Sequence, residues 1–236
     1  MAERKARTAR TAVRGPRAIV VDLDGTLTDA KRWLCLDAIE ALRKCEAKGV
    51  PVMLASGNIV TTSVQVSKLL GLTGPVIAEN GGVVHFRGQN ELFGDKKNCL
   101  EALEHVKEHL PVKELFTNQC RLTEVCIEED VGVAKVKELL RDFPVDVNST
   151  GFGIHIMPRG MDKSVGLKRA CTLLKVPIGA VMAIGDSEND IKMVQQSGIG
   201  VAVANGTREL KAVARYVCKR PHGAGVVEAL KNFKVL

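Results

Sequence analysis

Two aspartates, Asp22 and Asp24, end the apolar run of "AIVVDLDGT" (18–26), with Leu23 between them and Gly25-Thr26 behind. A second acidic group, Asp186, Glu188 and Asp190, lies in "GDSEND" (185–190). Carboxylates packed together repel, and burial makes the repulsion worse. A hard cation makes such packing tolerable, and oxygen-only ligands in a chain with five histidines point to Mg²⁺ rather than zinc. Mg²⁺ keeps several waters and commonly shares its shell with a substrate phosphate. Lys163, Ser56 and backbone N–H groups would then neutralise or donate to phosphoryl oxygens. One carboxylate is left to attack phosphorus and form an aspartyl phosphate. Two residues apart, Asp22 and Asp24 share a face of a regular strand and converge on one substrate at its end. Gly25 permits the turn away, and Thr26 can brace the loop. Asp190 also suits the start of a helix, where the dipole favours an acid.

Ligands of an open parallel sheet bind beyond the carboxyl ends of its strands, so these residues must stand at such ends. The chain supplies them. "AIVVDL", "VPVMLAS" and "PVIAEN" read as β-branched strands, separated by the helical spacing of "LDAIEALRKCEAKG" and "IVTTSVQVSKLLG". After Gly82 the pattern changes to "VVHFRGQNELF", two strands about a turn, then helices mixed with the strands "LTEVCIEE", "VDVNS" and "GIHIM". Alternation resumes with the helix "DKSVGLKRACTLLK", N-capped by Asp162, the strand "AVMAIGD", the helix "NDIKMVQQSG", the strand "IGVAVAN", a helix capped near Thr207, and a last strand and helix. The expected fold is α/β: a Rossmann-like, doubly wound parallel sheet over residues 17–82 and 159–236, with an inserted α+β domain at 83–158 that carries an antiparallel sheet.

The net charge of +7 would suggest a nucleic-acid partner. Its location argues otherwise: the first seventeen residues carry +5, so the body is near neutral. Residues 1–16 read as a solvated basic arm, with a contact to an acidic partner or a transit peptide as alternatives. Nucleic-acid binding is not expected, and no apolar run is long enough for a membrane span. Seven cysteines without a C-x-x-C pair read as reduced thiols in a cytoplasmic protein. The expected partner is a small phosphorylated metabolite, and a homodimer is left open. "HVKEH" (105–109) matches an inverted-zincin spacing but reads as a solvated helical face, and His85, His155 and His222 read as surface or packing residues. Trp33 is expected under the inserted domain or beside the substrate path.

Taken in order, "DLDGT" (22–26), "ASGN" (55–58), "DKSVGL" (162–167) and "GDSEND" (185–190) resemble the four motifs of the haloacid dehalogenase superfamily. An insert between the second and third resembles the C2-type cap of the Cof-like phosphatases, and the whole looks closest to the archaeal phosphoglycolate phosphatases. The resemblance implies that Asp22 is the nucleophile and a Mg²⁺ ligand. Asp24 would be the acid/base, ligating through its carbonyl. Ser56, with Gly57 beside it, and Lys163 would hold the phosphoryl group. Asp186 would ligate the metal, Asp190 ligate or orient it, and Asn189 contact phosphate or support the ligands. The implied reaction is Mg²⁺-dependent hydrolysis of a phosphate monoester, 2-phosphoglycolate first and a sugar phosphate second. A phospho-acceptor regulatory domain is the rival from another class, but its acceptor should end a middle strand, where this chain has Ser56.

Overall fold

Residues 15–236 are described by the structure, a computed structural model. Most of the expected basic arm, up to residue 14, lies outside them. The chain runs through β1 (Ala18–Asp22), α1 (Leu36–Ala47), β2 (Val52–Ala55), α2 (Val60–Leu70), β3 (Val76–Ala78), β4 (Val83–Phe86) and β5 (Gln89–Leu92). Next come α3 (Lys97–His109), β6 (Val125–Ile127), α4 (Val133–Leu139), β7 (Val145–Ser149) and β8 (Ile154–Pro158). It closes with α5 (Lys163–Leu174), β9 (Val181–Gly185), α6 (Ile191–Gln196), β10 (Ile199–Ala202), α7 (Arg208–Val213), β11 (Tyr216–Val217) and α8 (His222–Asn232).

The larger sheet has the order β11-β10-β9-β1-β2-β3-β4-β5. Strands β11 through β3 are parallel; β4 and β5 are antiparallel additions at one edge. Strand β1 lies at its centre, between β9 and β2, and is buried on both faces. Its side chains alternate as a pleated strand requires. Ile19 and Val21 pack with Leu42 of α1 and Val226 and Leu230 of α8. Ala18 and Val20 pack with Leu167 of α5 and Met193 of α6. A helical layer on each face satisfies an apolar strand without a polar side.

The smaller sheet, β6-β8-β7, is antiparallel. Its inner face, with Val125, Ile127, Val147, Ile154 and Ile156, packs on Leu103 and Val106 of α3 and Val136 of α4. The expected start of the insert at residue 83 needs correction. Glu79–Gly81 form a tight turn that reverses the chain, and β4 pairs antiparallel with β3, Ile77 opposite Val84. Phe93 then donates its N–H to the Gly82 carbonyl and packs on the core. The β4–β5 hairpin thus widens the main sheet, and the insert begins only after Phe93. A hairpin's own residues do not reveal which sheet it edges.

Candidate active site

The central strand ends on Asp22, which is 4% exposed. Neighbouring β9 ends on Gly185, so the turn that follows it brings Asp186 and Asp190 alongside. One carboxylate oxygen from each of Asp22, Asp186 and Asp190 lies within 4.8 Å of the others. Lys163, at the first turn of α5, enters the same space with its side chain fully enclosed. Its Nζ donates to Asp22 Oδ1 at 2.6 Å and to Asp190 Oδ1 at 2.7 Å. Asp162 positions that turn by capping the helix, accepting from the Ser164 N–H at 2.8 Å.

Each acid has different surroundings. Asp190 is saturated: beyond Lys163, its Oδ2 accepts from the N–H groups of Asp186 and Ser187 at 3.0 and 3.1 Å. Asp186 Oδ1 accepts from Thr26 Oγ1 at 2.8 Å. Asp22 Oδ2 is buried and has no hydrogen-bond partner among the described residues. Burial pushes the Asp22 carboxyl well above the ordinary range; Lys163 opposes the shift, and Asp190 and Asp186 add to it. Burial and the neighbouring Asp190 raise Asp186 to about 6. Burial would lower Lys163, but Asp190 and Asp22 outweigh it and hold the ammonium charged. Among the described residues, one cation therefore serves three clustered acids.

Gly25 shapes this rim. Its φ is +86°, and a Cβ there would stand 2.3 Å from Asp186 Oδ2. Glycine is required both for the left-handed turn and for the close approach.

Asp24 turns toward the loop after β2. Its Oδ2 accepts from Asn58 Nδ2 at 2.8 Å. Ser56 Oγ accepts from both Asn58 N–H and Asn58 Nδ2, at 3.0 and 3.1 Å. With its lone pairs so engaged, the Ser56 hydroxyl proton is available to another acceptor. Gly57 is buried, and a Cβ on it would meet the Asn80 carboxamide at 3.1 Å. Asn189 contacts Asn80 rather than the acids: its Nδ2 donates to Asn80 Oδ1 at 3.0 Å, and its Oδ1 accepts from Ser187 Oγ at 2.6 Å. A cleft of about 550 Å³ opens beside Asn189, between Arg159, Asp162, Glu188 and Lys192 of the core and Asp146 and Asn148 of the insert.

Two groups in this neighbourhood escaped the sequence reading: the bridging role of Asn58, inside a motif already singled out, and Asn80. The signal for Asn80 was present, because Glu79-Asn80 follow β3 just as Ser56 follows β2. Of the surface and packing roles open to His155, the structure gives it the buried one, and its Nδ1 bonds Glu124 at 2.8 Å. Trp33 is 66% exposed, with Lys31 over its ring, so it does not pack under the insert. His105, Glu108 and His109 do form a surface cluster on α3, in which His109 Nδ1 donates to the His105 carbonyl at 2.8 Å.

The family model of the haloacid dehalogenase-like hydrolases matches residues 19–131 and 117–230. The phosphoglycolate phosphatase of Methanothermobacter thermautotrophicus is 42% identical over 217 residues, covering 92% of this chain and 98% of the relative. The crystal structure of Thermoplasma acidophilum 0175 superposes with a TM-score of 0.88 at 29% identity, covering 94% of this chain and all of that one. The subclass IIB sugar phosphatase BT4131 shares the fold, with a TM-score of 0.78 at 19% identity over 93% of this chain and 99% of the other.

Proposed function

The chain belongs to the haloacid dehalogenase-like hydrolases and is a phosphatase among them, and we propose that it hydrolyses 2-phosphoglycolate to glycolate and phosphate with Mg²⁺ as cofactor. The observation that carries the reading is the buried Asp22–Asp186–Asp190 cluster, in which, among the described residues, Asp22 Oδ2 has no partner and Lys163 is the single charge-balancing side chain. That donor set fits a hard divalent cation: oxygens alone, more negative charge than Lys163 offsets, and an orphaned carboxylate oxygen. Asp22, Asp186 and the Asp24 carbonyl would hold it, with Asp190 as the brace that orients them. Bound there, the ion offsets the repulsion among the acids and the charge of the phosphoryl group.

The chain's own residues would divide the chemistry. Asp22 attacks phosphorus; an Asp22 O–P bond forms as the ester P–O bond breaks. Asp24, held by Asn58, gives its proton to the departing alkoxide. It then takes a proton from the water that attacks the phosphorus of the aspartyl phosphate, which restores Asp22 and releases phosphate. Lys163 and Ser56 bind the phosphoryl oxygens, Lys163 as a fixed ammonium and Ser56 through its unengaged proton.

The 42% identical phosphoglycolate phosphatase, matched along nearly its whole length, supports the choice of ester. Ranking phosphate monoesters by kcat/KM tests it. 2-Phosphoglycolate is expected at the head of the panel; slow turnover of it beside fast turnover of sugar phosphates would replace this substrate with a sugar phosphate.

A further inference from the structure

Arg121, Thr123 and Glu124 of the inserted domain are buried against two of the loops that build the phosphate site, although neither their sequence nor the four motifs mark them. Arg121, Thr123 and Glu124 are 3, 0 and 0% exposed. The backbone N–H groups of Leu122 and Thr123 and the Thr123 hydroxyl all donate to Glu79 Oε2, at 2.9, 2.8 and 2.9 Å. Glu124 accepts from Asn80 Nδ2 at 3.0 Å, from His155 Nδ1 at 2.8 Å and from Arg121 Nη1. Asn80 in turn accepts from Asn189, the neighbour of Asp190. Glu79 and Asn80 both hold left-handed backbone, φ +48° and +52°; asparagine tolerates it, whereas a glutamate adopts it only when its surroundings enforce it.

The contact with the largest consequence is Arg121 Nη1 to the Gly57 carbonyl at 3.1 Å. A trans peptide is planar, so its carbonyl and the following N–H point in opposite directions. Holding the Gly57 carbonyl toward the insert therefore aims the Asn58 N–H back at the site, where it meets Ser56 Oγ at 3.0 Å. Gly57 itself offers little resistance to a peptide flip. Were the peptide turned over, Ser56 Oγ would lose an N–H donor and face a carbonyl oxygen instead.

We propose that Arg121 is a positioning residue for the phosphate site: it locks the Gly57–Asn58 peptide in the orientation that presents the Ser56 hydroxyl to a phosphoryl oxygen, so the site is complete only with the inserted domain seated. The pair with Glu124 fixes the guanidinium without exposing it. The inference rests on Ser56 as a phosphate ligand but not on which ester is hydrolysed.

The test is the inhibition constant of inorganic phosphate in the full chain. Two variants are used: Arg121→Gln with Glu124→Gln, which removes both buried charges together, and Arg121→Lys, which keeps the pair but gives up the reach to Gly57. In either variant that retains the native circular dichroism spectrum, the phosphate constant rises about tenfold or more, while half-saturating Mg²⁺ stays within about twofold. kcat/KM falls by the same factor for p-nitrophenyl phosphate and 2-phosphoglycolate. Unchanged phosphate affinity, or a loss confined to one ester, overturns the proposal. Ser56→Ala separates the two ideas: if it leaves phosphate affinity intact, Ser56 is not a phosphate ligand. If it weakens binding while the Arg121 variants do not, the positioning role alone is lost.

Discussion

Lys163 and Asp22, 141 residues apart in the chain, are joined by a buried ion pair of 2.6 Å, with side chains 1% and 6% exposed. The pair occupies Asp22 Oδ1 and leaves Oδ2 without a partner among the described residues. A lysine fixed this way holds the Asp22 side chain in place, and the acids around it keep it charged.

Removing that lysine should cost both folding and catalysis. Lys163→Met leaves Asp22 and Asp190 buried without their cation, and taking one partner from a buried pair costs about 3–5 kcal/mol. Denaturant unfolding of the metal-free variant should show that loss, and phosphatase activity should fall by about 10³-fold or more. A variant of unchanged stability would mean that the pair does not persist in solution.

Gly25→Ala tests the rim itself. A left-handed backbone costs a non-glycine residue about 1–2 kcal/mol, and the new Cβ collides with Asp186 Oδ2. The expected result is half-saturating Mg²⁺ raised by about tenfold with a smaller change in KM for the ester. Mg²⁺ titration of activity, checked by calorimetry, distinguishes this from simple unfolding.

The crowded carboxyls give the metal-free protein a defined pH dependence. Asp186 is raised to about 6 and Asp22 is also raised, both from an ordinary value of 3.8. Between about pH 4 and 6 the native state thus binds more protons than the unfolded one, and unfolding free energy falls as pH rises through that window. Melting temperature without Mg²⁺ should be higher at pH 5 than at pH 7. Asp22→Asn should weaken the trend. Mg²⁺ binding displaces those protons, so affinity should climb with pH through about 6. A melting temperature rising steadily from pH 5 to 7 without metal would contradict the cluster as described.

The acidic cluster was legible because Asp22 and Asp186 to Asp190 lie in two motifs, "DLDGT" and "GDSEND", that are specific when taken together and follow strands; Ser56, whose stretch alone reads as a simple turn, and Lys163, which opens a helix, were drawn in only by that company. The alternating elements followed from β-branched runs and helical spacing. Two things were not legible. The affiliation of β4 and β5 depends on pairing between β3 and β4, a contact that hydrophobic pattern does not encode. The Arg121–Glu124 segment sits in an insert without regular alternation, and its partners, Gly57, Glu79 and Asn80, lie more than 40 residues away in sequence. Buried arginine and histidine look like surface residues until the fold supplies Glu124.

The most direct test of the account is whether Asp22 carries the phosphoryl group. p-Nitrophenolate needs no proton to depart, so Asp24→Asn should still form the phosphoenzyme from p-nitrophenyl phosphate but hydrolyse it slowly. Mixing this variant with Mg²⁺ and that ester should give a burst of p-nitrophenolate close to one equivalent, and peptide mass spectrometry of the acid-quenched protein should find one phosphoryl group on Asp22. The same experiment with Asp22→Asn should give neither. A burst that survives Asp22→Asn, or a phosphoryl group on another residue, would contradict Asp22 as the nucleophile.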